Sequence, residues 1–88
     1  MFEDETEVAW QATPDHAPVV AADGTRIGTT EKVLGDLEED IFHGLMVRRA
    51  DGEAVEIPAR RIKRVTRQHV VTDLGQQEAQ TLPAYRAG

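Results

Sequence analysis

Residues 54–65 run Ala-Val-Glu-Ile-Pro-Ala-Arg-Arg-Ile-Lys-Arg-Val, and this stretch indicates the fold class. Val55 and Ile57 flank a glutamate, which is the alternation of a strand that has one buried face. Pro58 has no N–H to donate to a strand ladder and therefore ends that strand. The three residues that follow can form a single helical turn before a second apolar run begins at Ile62. Two short strands joined by one helical turn therefore fit into this stretch.

The rest of the chain repeats this pattern of short apolar runs separated by turn residues. Asp23-Gly24 and Asp51-Gly52 are dipeptides typical of tight hairpin turns, since glycine readily adopts a positive φ. Apolar runs of about four to seven residues have the length of strands rather than of helices. We predict six strands, over Pro18–Ala22, Arg26–Leu34, Ile41–Arg49, Ala54–Ile57, Ile62–Val65 and a last one that contains Val70, Val71 and Leu74.

Two details of these strands follow from the alternation of apolar residues. We expect a bulge at Gly28, because the apolar alternation before it does not continue beyond it. In the third strand Ile41, Leu45 and Val47 are predicted to share one face, with His43 on the same parity. A half-buried third strand follows from this pattern.

The chain has 88 residues and a mass of 9.7 kDa, which is room for one small domain. We predict an acidic N-terminal segment over residues 1–16, a compact domain over 17–74 and a polar C-terminal tail over 75–88, with one weak helical turn at 76–80. The longest purely apolar run has six residues, whereas crossing a bilayer takes roughly 20. The acidic N-terminus is unlike a signal peptide. We therefore expect a protein of a bacterial-type cytoplasm that does not enter a membrane.

Charge is distributed unevenly along the chain. Residues 1–47 hold eleven acidic and two basic side chains, and residues 48–88 hold five acidic and eight basic ones, so the two parts carry −9 and +3. This asymmetry indicates a surface of two signs, or two faces that complement each other between subunits. Solvated loops that differ by chance are the simpler interpretation. The net charge of −6 disfavours general binding to nucleic acid.

Six short strands at regular spacing in one small domain favour a closed barrel, because closure removes free sheet edges. Five pieces of sequence narrow this expectation: Val-Val-Ala-Ala-Asp-Gly-Thr-Arg-Ile-Gly at 19–28, Val-Leu-Gly-Asp at 33–36, Gly-Leu-Met-Val at 44–47, Ile-Pro-Ala-Arg-Arg-Ile at 57–62 and Val-Val at 70–71. In this order and spacing they resemble the PRC-barrel family. That family includes the cytoplasmic domain of the photosynthetic reaction-centre H subunit and the C-terminal domain of the ribosome-maturation factor RimM.

The resemblance covers residues 17–74 and implies a small, mainly all-β fold, a six-stranded antiparallel PRC-type β-barrel. It also implies roles in holding proteins in place, assembling complexes or contacting a ribosomal protein, without catalysis. Thr30 stands where members of the family commonly have valine. Its hydroxyl therefore needs a hydrogen-bond partner if it is buried.

Catalytic and metal-binding residues are sparse in this chain. It has neither cysteine nor serine, which excludes thiolate and serine nucleophiles, disulfides and cysteine-ligated metals. Its histidines, His16, His43 and His69, are 27 and 26 residues apart, so no two have the spacing of metal ligands on one local face. We predict no enzymatic activity, no cofactor and no metal site.

One acidic stretch has part of the pattern of a calcium loop. Asp36, Glu38 and Asp40 have the spacing of its first ligands, but the positions that need glycine and glutamate hold Ile41 and Val47. A weak surface site for a divalent cation is one interpretation, and a solvated acidic loop is the simpler one.

The most concentrated charge is a group that we call the basic strip: Arg60, Arg61, Lys63, Arg64 and Arg67. Strand alternation would divide these side chains between two faces. Binding of single-stranded nucleic acid usually also employs aromatic stacking, and the strip contains no aromatic residue. A solvated or subunit-pairing strip is therefore favoured, and contact with RNA or a ribosome is the alternative.

Trp10 is the second candidate for binding a partner. Its indole, with Phe2 and Val8, can pack against its own domain. In the other hypothesis the acidic N-terminal segment crosses to a second copy, meets the basic strip there and buries Trp10 as an anchor. The function predicted from sequence is a non-catalytic protein-interaction or assembly module that binds a protein partner of unknown identity or a second copy of itself, as a homo-oligomer. The alternative is a ribosome- or RNA-associated accessory protein.

Overall fold

A computed structural model describes residues 2–86 of the chain. Short 3-10 turns span Trp10–Ala12 and Ala59–Arg61, and helix α1 spans Gln76–Gln80. The strands are β1 (Pro18–Val20), β2 (Arg26–Asp36), β3 (Ile41–Arg48), β4 (Ala54–Pro58), β5 (Ile62–Val65) and β6 (Val70–Thr72). The prediction of a mainly β chain with six strands is therefore confirmed.

The local turns form where the sequence places them. Gly24 and Gly52 have φ angles of 90° and 89°, as the two aspartate-glycine turns require. β4 ends at Pro58, and the 3-10 turn Ala59–Arg61 leads directly into β5, as predicted. β2 continues two residues beyond the predicted end, to Asp36, because it pairs with β3 as far as Ile41.

The prediction of a purely antiparallel sheet is wrong. The strand order is β4-β3-β2-β1-β6-β5, and β1 pairs with β6 in the parallel direction. The other neighbouring pairs are antiparallel. Thr72 of β6 strengthens the parallel contact, because its hydroxyl donates a hydrogen bond of 3.0 Å to the carbonyl of Val20. The sheet is therefore mixed, and β1 and β6, the first and last strands of the chain, are neighbours inside it.

The prediction of a closed barrel is also wrong, because the sheet curls into an open half-barrel. Its edge strands are β4 and β5, and segments near the two chain ends lie along them. At β5 the N–H of Val8 donates to the carbonyl of Val65 at 2.8 Å. At β4 the N–H of Tyr85 donates to the carbonyl of Ala54 at 3.0 Å. These segments protect edges that barrel closure would otherwise have removed.

The hydrophobic core is built from residues of all six strands, of α1 and of the loops at Ala21 and Leu74. Its buried apolar residues are Val19, Ala21, Ile27, Leu45, Val47, Val55, Ile57, Val65, Val70, Leu74 and Ala79. Thr30 is also buried, and its hydroxyl finds two partners. It donates to the carbonyl of Pro14 at 2.5 Å and accepts the N–H of Ala17 at 2.9 Å. The hydroxyl therefore fixes the chain just before β1.

The predicted irregularity near Gly28 is present, one residue earlier than expected. The pairing of β1 with β2 shifts so that Val19 faces Gly28 and Val20 faces Arg26, which leaves Ile27 as the extra residue. Gly28 itself lies against the carbonyl of Arg48, where a side chain would collide with backbone. Glycine at this position therefore allows β2 and β3 to approach closely.

Candidate functional site

The β2–β3 hairpin carries the most exposed large apolar side chains of the part of the chain that the structure describes. Leu37, in its turn, is 71% exposed, and Ile41, at the start of β3, is 45% exposed. Isolated exposed apolar residues are common on protein surfaces, but two at one turn offer a candidate contact surface. We call residues 34–42 together with Trp10 the hairpin end.

Carboxylates surround these apolar side chains and also shape the turn. Asp36 accepts the backbone N–H groups of Glu38 and Glu39, at 3.0 and 3.2 Å. Asp40 has a φ of 55°, which aspartate tolerates better than most residues, and it accepts a 2.6 Å hydrogen bond from the amide of Gln11. Within residues 2–86, no three histidine or acidic side chains lie together as metal ligands would. The acidic stretch thus forms a hydrogen-bonded turn.

A bulge at His43 explains why Ile41 is exposed. The register shifts there between two cross-strand pairs, Leu34 with Gly44 and Gly35 with Phe42. One extra residue reverses which side chains face the core, so Phe42 packs against the core and Ile41 lies outside. The prediction that Ile41 shares the buried face of Leu45 and Val47 is therefore wrong.

Trp10 lies at the hairpin end and is half-buried. Its indole stacks on the ring of Phe42, with centroids 5.1 Å apart and planes 10° from parallel. A side chain in place of Gly35 would come within 3.1 Å of the indole, so the ring lies directly over the β2 backbone. Of the two interpretations of Trp10, the structure shows the indole packed on its own chain, against Phe42 and Gly35 beside the acidic turn.

Within the basic strip, Arg61 is engaged by carboxylates of its own chain. Its Nε donates to Asp73 at 2.6 Å, and its two Nη atoms donate to the oxygens of Glu78 at 2.8 and 3.0 Å. The hydrogen bonds from Arg61 and, to a smaller extent, the one from the N–H of Gly75 lower the pKa of Glu78 to about 2. The same bonds raise the pKa of Arg61. Arg61 thus ties the C-terminal helix to the sheet.

Arg64 is engaged by the N-terminal segment. Its Nη1 donates to the carbonyl of Phe2 at 3.1 Å, and its Nε is 3.6 Å from a carboxylate oxygen of Glu7. The strip is therefore not one uniform cationic surface. Its exposed members, which form no ion pair within residues 2–86, are Arg60, Lys63 and Arg67.

A second cluster, for which the sequence contains no motif, lies beside the strip. We call it the β5–β6 recess, and its residues are Arg64, Thr66 and His69. Nδ1 of His69 is 2.9 and 3.1 Å from the two carboxylate oxygens of Glu5, and the hydroxyl of Thr66 donates to Glu5 at 2.8 Å. The ring of Phe2 stacks on the imidazole at 3.7 Å. Burial opposes ionisation of Glu5, but the hydrogen bonds from His69 and Thr66 outweigh it and lower the pKa of Glu5.

The charge complementarity that suggested a second copy is met within one chain. Glu5 and Glu7 of the N-terminal segment contact His69 and Arg64 of the same molecule. The opposite net charges of residues 1–47 and 48–88 indicated such a contact in the sequence. Charge alone could not distinguish a contact within the chain from one between chains.

In comparisons with known proteins, no protein-family model and no curated protein matches this chain. The resemblance to the PRC-barrel family therefore remains a prediction from the sequence. Among the described residues, no helix is both long enough and apolar enough to cross a bilayer.

Proposed function

We propose that this chain is a non-catalytic protein-interaction or assembly module of the PRC-barrel type, which binds a basic protein surface through its hairpin end. The exposure of Leu37 and Ile41 at a single turn is the observation that carries the proposal. Because Leu37 is 71% and Ile41 45% exposed, burying what remains of both side chains against a partner would contribute roughly 2–3 kcal/mol in total. The binding surface is thus apolar at its centre and charged around it.

The surroundings of the hairpin end favour one kind of partner. Asp36, Glu38, Glu39 and Asp40 are exposed around the two apolar side chains. A basic partner would be attracted by this field, and an acidic one would be repelled. The stacked rings of Trp10 and Phe42 brace the hairpin from one side, so a partner meets an ordered surface.

The alternative function, contact with RNA or a ribosome through the basic strip, has less support. Two of the five cations of the strip are already paired with carboxylates of the same chain. The remaining cations are Arg60, Lys63 and Arg67, and no aromatic ring of the chain belongs to the strip. Nucleic-acid binding by so few cations would be weak at physiological salt.

Parallel capture from extracts of the cells that produce this chain tests the proposal. The hairpin variant Leu37→Ser with Ile41→Thr removes the apolar centre. The matched strip variant Arg60→Ser with Lys63→Thr changes two exposed residues elsewhere. We expect a basic protein that the wild type and the strip variant retain and that the hairpin variant loses. With the purified partner, the hairpin variant should raise Kd at least about tenfold.

The opposite result would favour the alternative. A bound species that survives in the hairpin variant, disappears in the strip variant and is released steeply by added salt would identify the strip as the functional surface. Circular dichroism of both variants must match that of the wild type, so that a lost contact is not a lost fold.

A further inference from the structure

The β5–β6 recess is occupied by residues 2–8 of the same chain, in the manner of a bound peptide. The N–H of Val8 donates to the carbonyl of Val65 at 2.8 Å, and Glu7 forms an antiparallel bridge with Thr66. Addition of an extended segment to a free sheet edge is a common mode of peptide recognition. Here the ligand belongs to the chain itself.

The recess has groups that fit particular features of this segment. Thr66 is fully buried, and its hydroxyl points to the carboxylate of Glu5. Because a carboxylate can only accept, Nδ1 of His69 donates to the same carboxylate. The ring of Phe2 stacks on the imidazole of His69. Arg64 holds the carbonyl of Phe2 at 3.1 Å. The recess therefore selects an aromatic residue three positions before a carboxylate.

The segment is attached mostly through polar groups, and the central pair, Glu5 and His69, is only 18% and 22% exposed. Asp4, Thr6 and Glu7 are exposed, and Val8 is half-buried against the core. Little apolar area is lost when such a segment detaches, so its opening is expected at the low end of the range of local unfolding free energies.

We propose that the β5–β6 recess is a binding site for an acidic extended segment, and that residues 2–8 of a second copy of this chain can occupy it by exchange. The occupant is chosen because the contacts described above fit that sequence residue by residue. The exchanged contact reproduces the hydrogen bonds of the internal one, so the segment keeps the same partners in either arrangement. This site is separate from the hairpin end and does not depend on the proposed function.

Competition from the internal segment determines when exchange occurs. A tethered segment acts at an effective concentration in the millimolar range, so the wild type is expected to be mainly monomeric in dilute solution. Exchange becomes visible when the internal contact is broken but the recess is left intact. Glu5→Lys does this, because it replaces the acceptor of the hydrogen bonds from Thr66 and His69 by a cation. His69→Ala does the reverse, because it damages the recess and keeps the segment.

Mixing these two full-length variants tests the proposal. The chain with Glu5→Lys is labelled with ¹⁵N, and unlabelled chain with His69→Ala is added up to about millimolar concentration. We expect the amide resonances of Thr66, Gln68 and His69 in the labelled chain to move toward their wild-type positions in a saturable way. Labelled wild type should respond at least roughly tenfold more weakly, since its own segment competes.

A matched addition provides the control. Unlabelled chain with Glu5→Lys has a damaged segment and should cause no such movement. The proposal is overturned if the variant His69→Ala has no effect, or if both additions have equal effects. Should Glu5→Lys not fold, as judged by the dispersion of its spectrum, Glu5→Gln removes the charge with less disturbance and the same outcomes decide.

Discussion

The two ends of the chain cover the two edges of one sheet, but polar contacts and apolar packing hold them in different proportions. The C-terminal segment lies along β4 through the bond from the N–H of Tyr85, and it buries Ala79 and packs Leu82 against the core. The N-terminal segment lies along β5 mainly through Glu5, with half-buried Val8 as its contact with the core. Both ends make ion pairs with the sheet, through Glu78 and through Glu5, but the C-terminal segment adds more apolar packing than the N-terminal one.

This difference determines how readily each end can leave its edge. Apolar burial contributes stability in proportion to area and depends little on pH or salt. Exposed ionic contacts contribute less and are screened by salt. The C-terminal end therefore belongs to the stable body of the protein, and the N-terminal end is the one available for exchange.

The largest expected effect comes from Leu74, which is buried at the start of the C-terminal segment. Leu74→Ala should lower the free energy of unfolding by roughly 3 kcal/mol, because it leaves a cavity beneath α1. Val8→Ala, the matched change at the other end, should cost about 1 kcal/mol, since Val8 is only half-buried. Urea unfolding followed by tryptophan fluorescence measures both. Equal losses would contradict the contrast between the ends.

The second expected effect is a change in the pKa of Glu78, whose carboxylate accepts hydrogen bonds from Arg61. Its pKa, about 2, lies below the ordinary value of 4.5, so its contribution to stability is complete above pH 4.5 and is lost as the pH falls through about 2. Arg61→Ala should return the pKa of Glu78 toward 4.5 in a titration followed by NMR of its carboxyl carbon. Arg60→Ala is the matched control and should leave the pKa of Glu78 unchanged. A pKa unaffected by Arg61→Ala would show that this ion pair does not hold α1 in solution.

The smallest effect concerns hydrogen exchange at the two covered edges. The amides of Val8 and Tyr85 both donate to edge-strand carbonyls, at 2.8 and 3.0 Å. We expect Val8 to exchange roughly tenfold faster, relative to its unfolded rate, because the N-terminal segment opens more readily. Comparable protection of the two amides would mean that both ends belong to one cooperative unit.

Local features of the fold were predictable from the sequence. The turns at Asp23-Gly24 and Asp51-Gly52 and the break at Pro58 depend on backbone preferences of single residues, and all three are present. The weak helical turn predicted at residues 76–80 is α1. Such features depend only on residues that are close together in the sequence.

Features that depend on distant pairing were not predictable. Hairpin turns specify which consecutive strands pair, but they contain no information about β1 and β6, whose parallel pairing makes the sheet mixed. A bulge of one residue at His43 changes the face of Ile41 without leaving a pattern in the sequence. The Glu5–His69 contact joins residues 64 positions apart. Of the candidate surface, the acidic turn that contains Leu37 was interpreted as a solvated loop, whereas Ile41 was predicted to be buried.

The placement of both ends along sheet edges has a consequence for what proteolysis would do to the molecule. A protease that cleaved the chain after Val8 would release the N-terminal segment, whose backbone covers the edge of β5. The uncovered N–H and C=O groups would then act as a template for strands of other molecules. Clipped material would therefore be the first to form fibrils, although its core would be almost untouched.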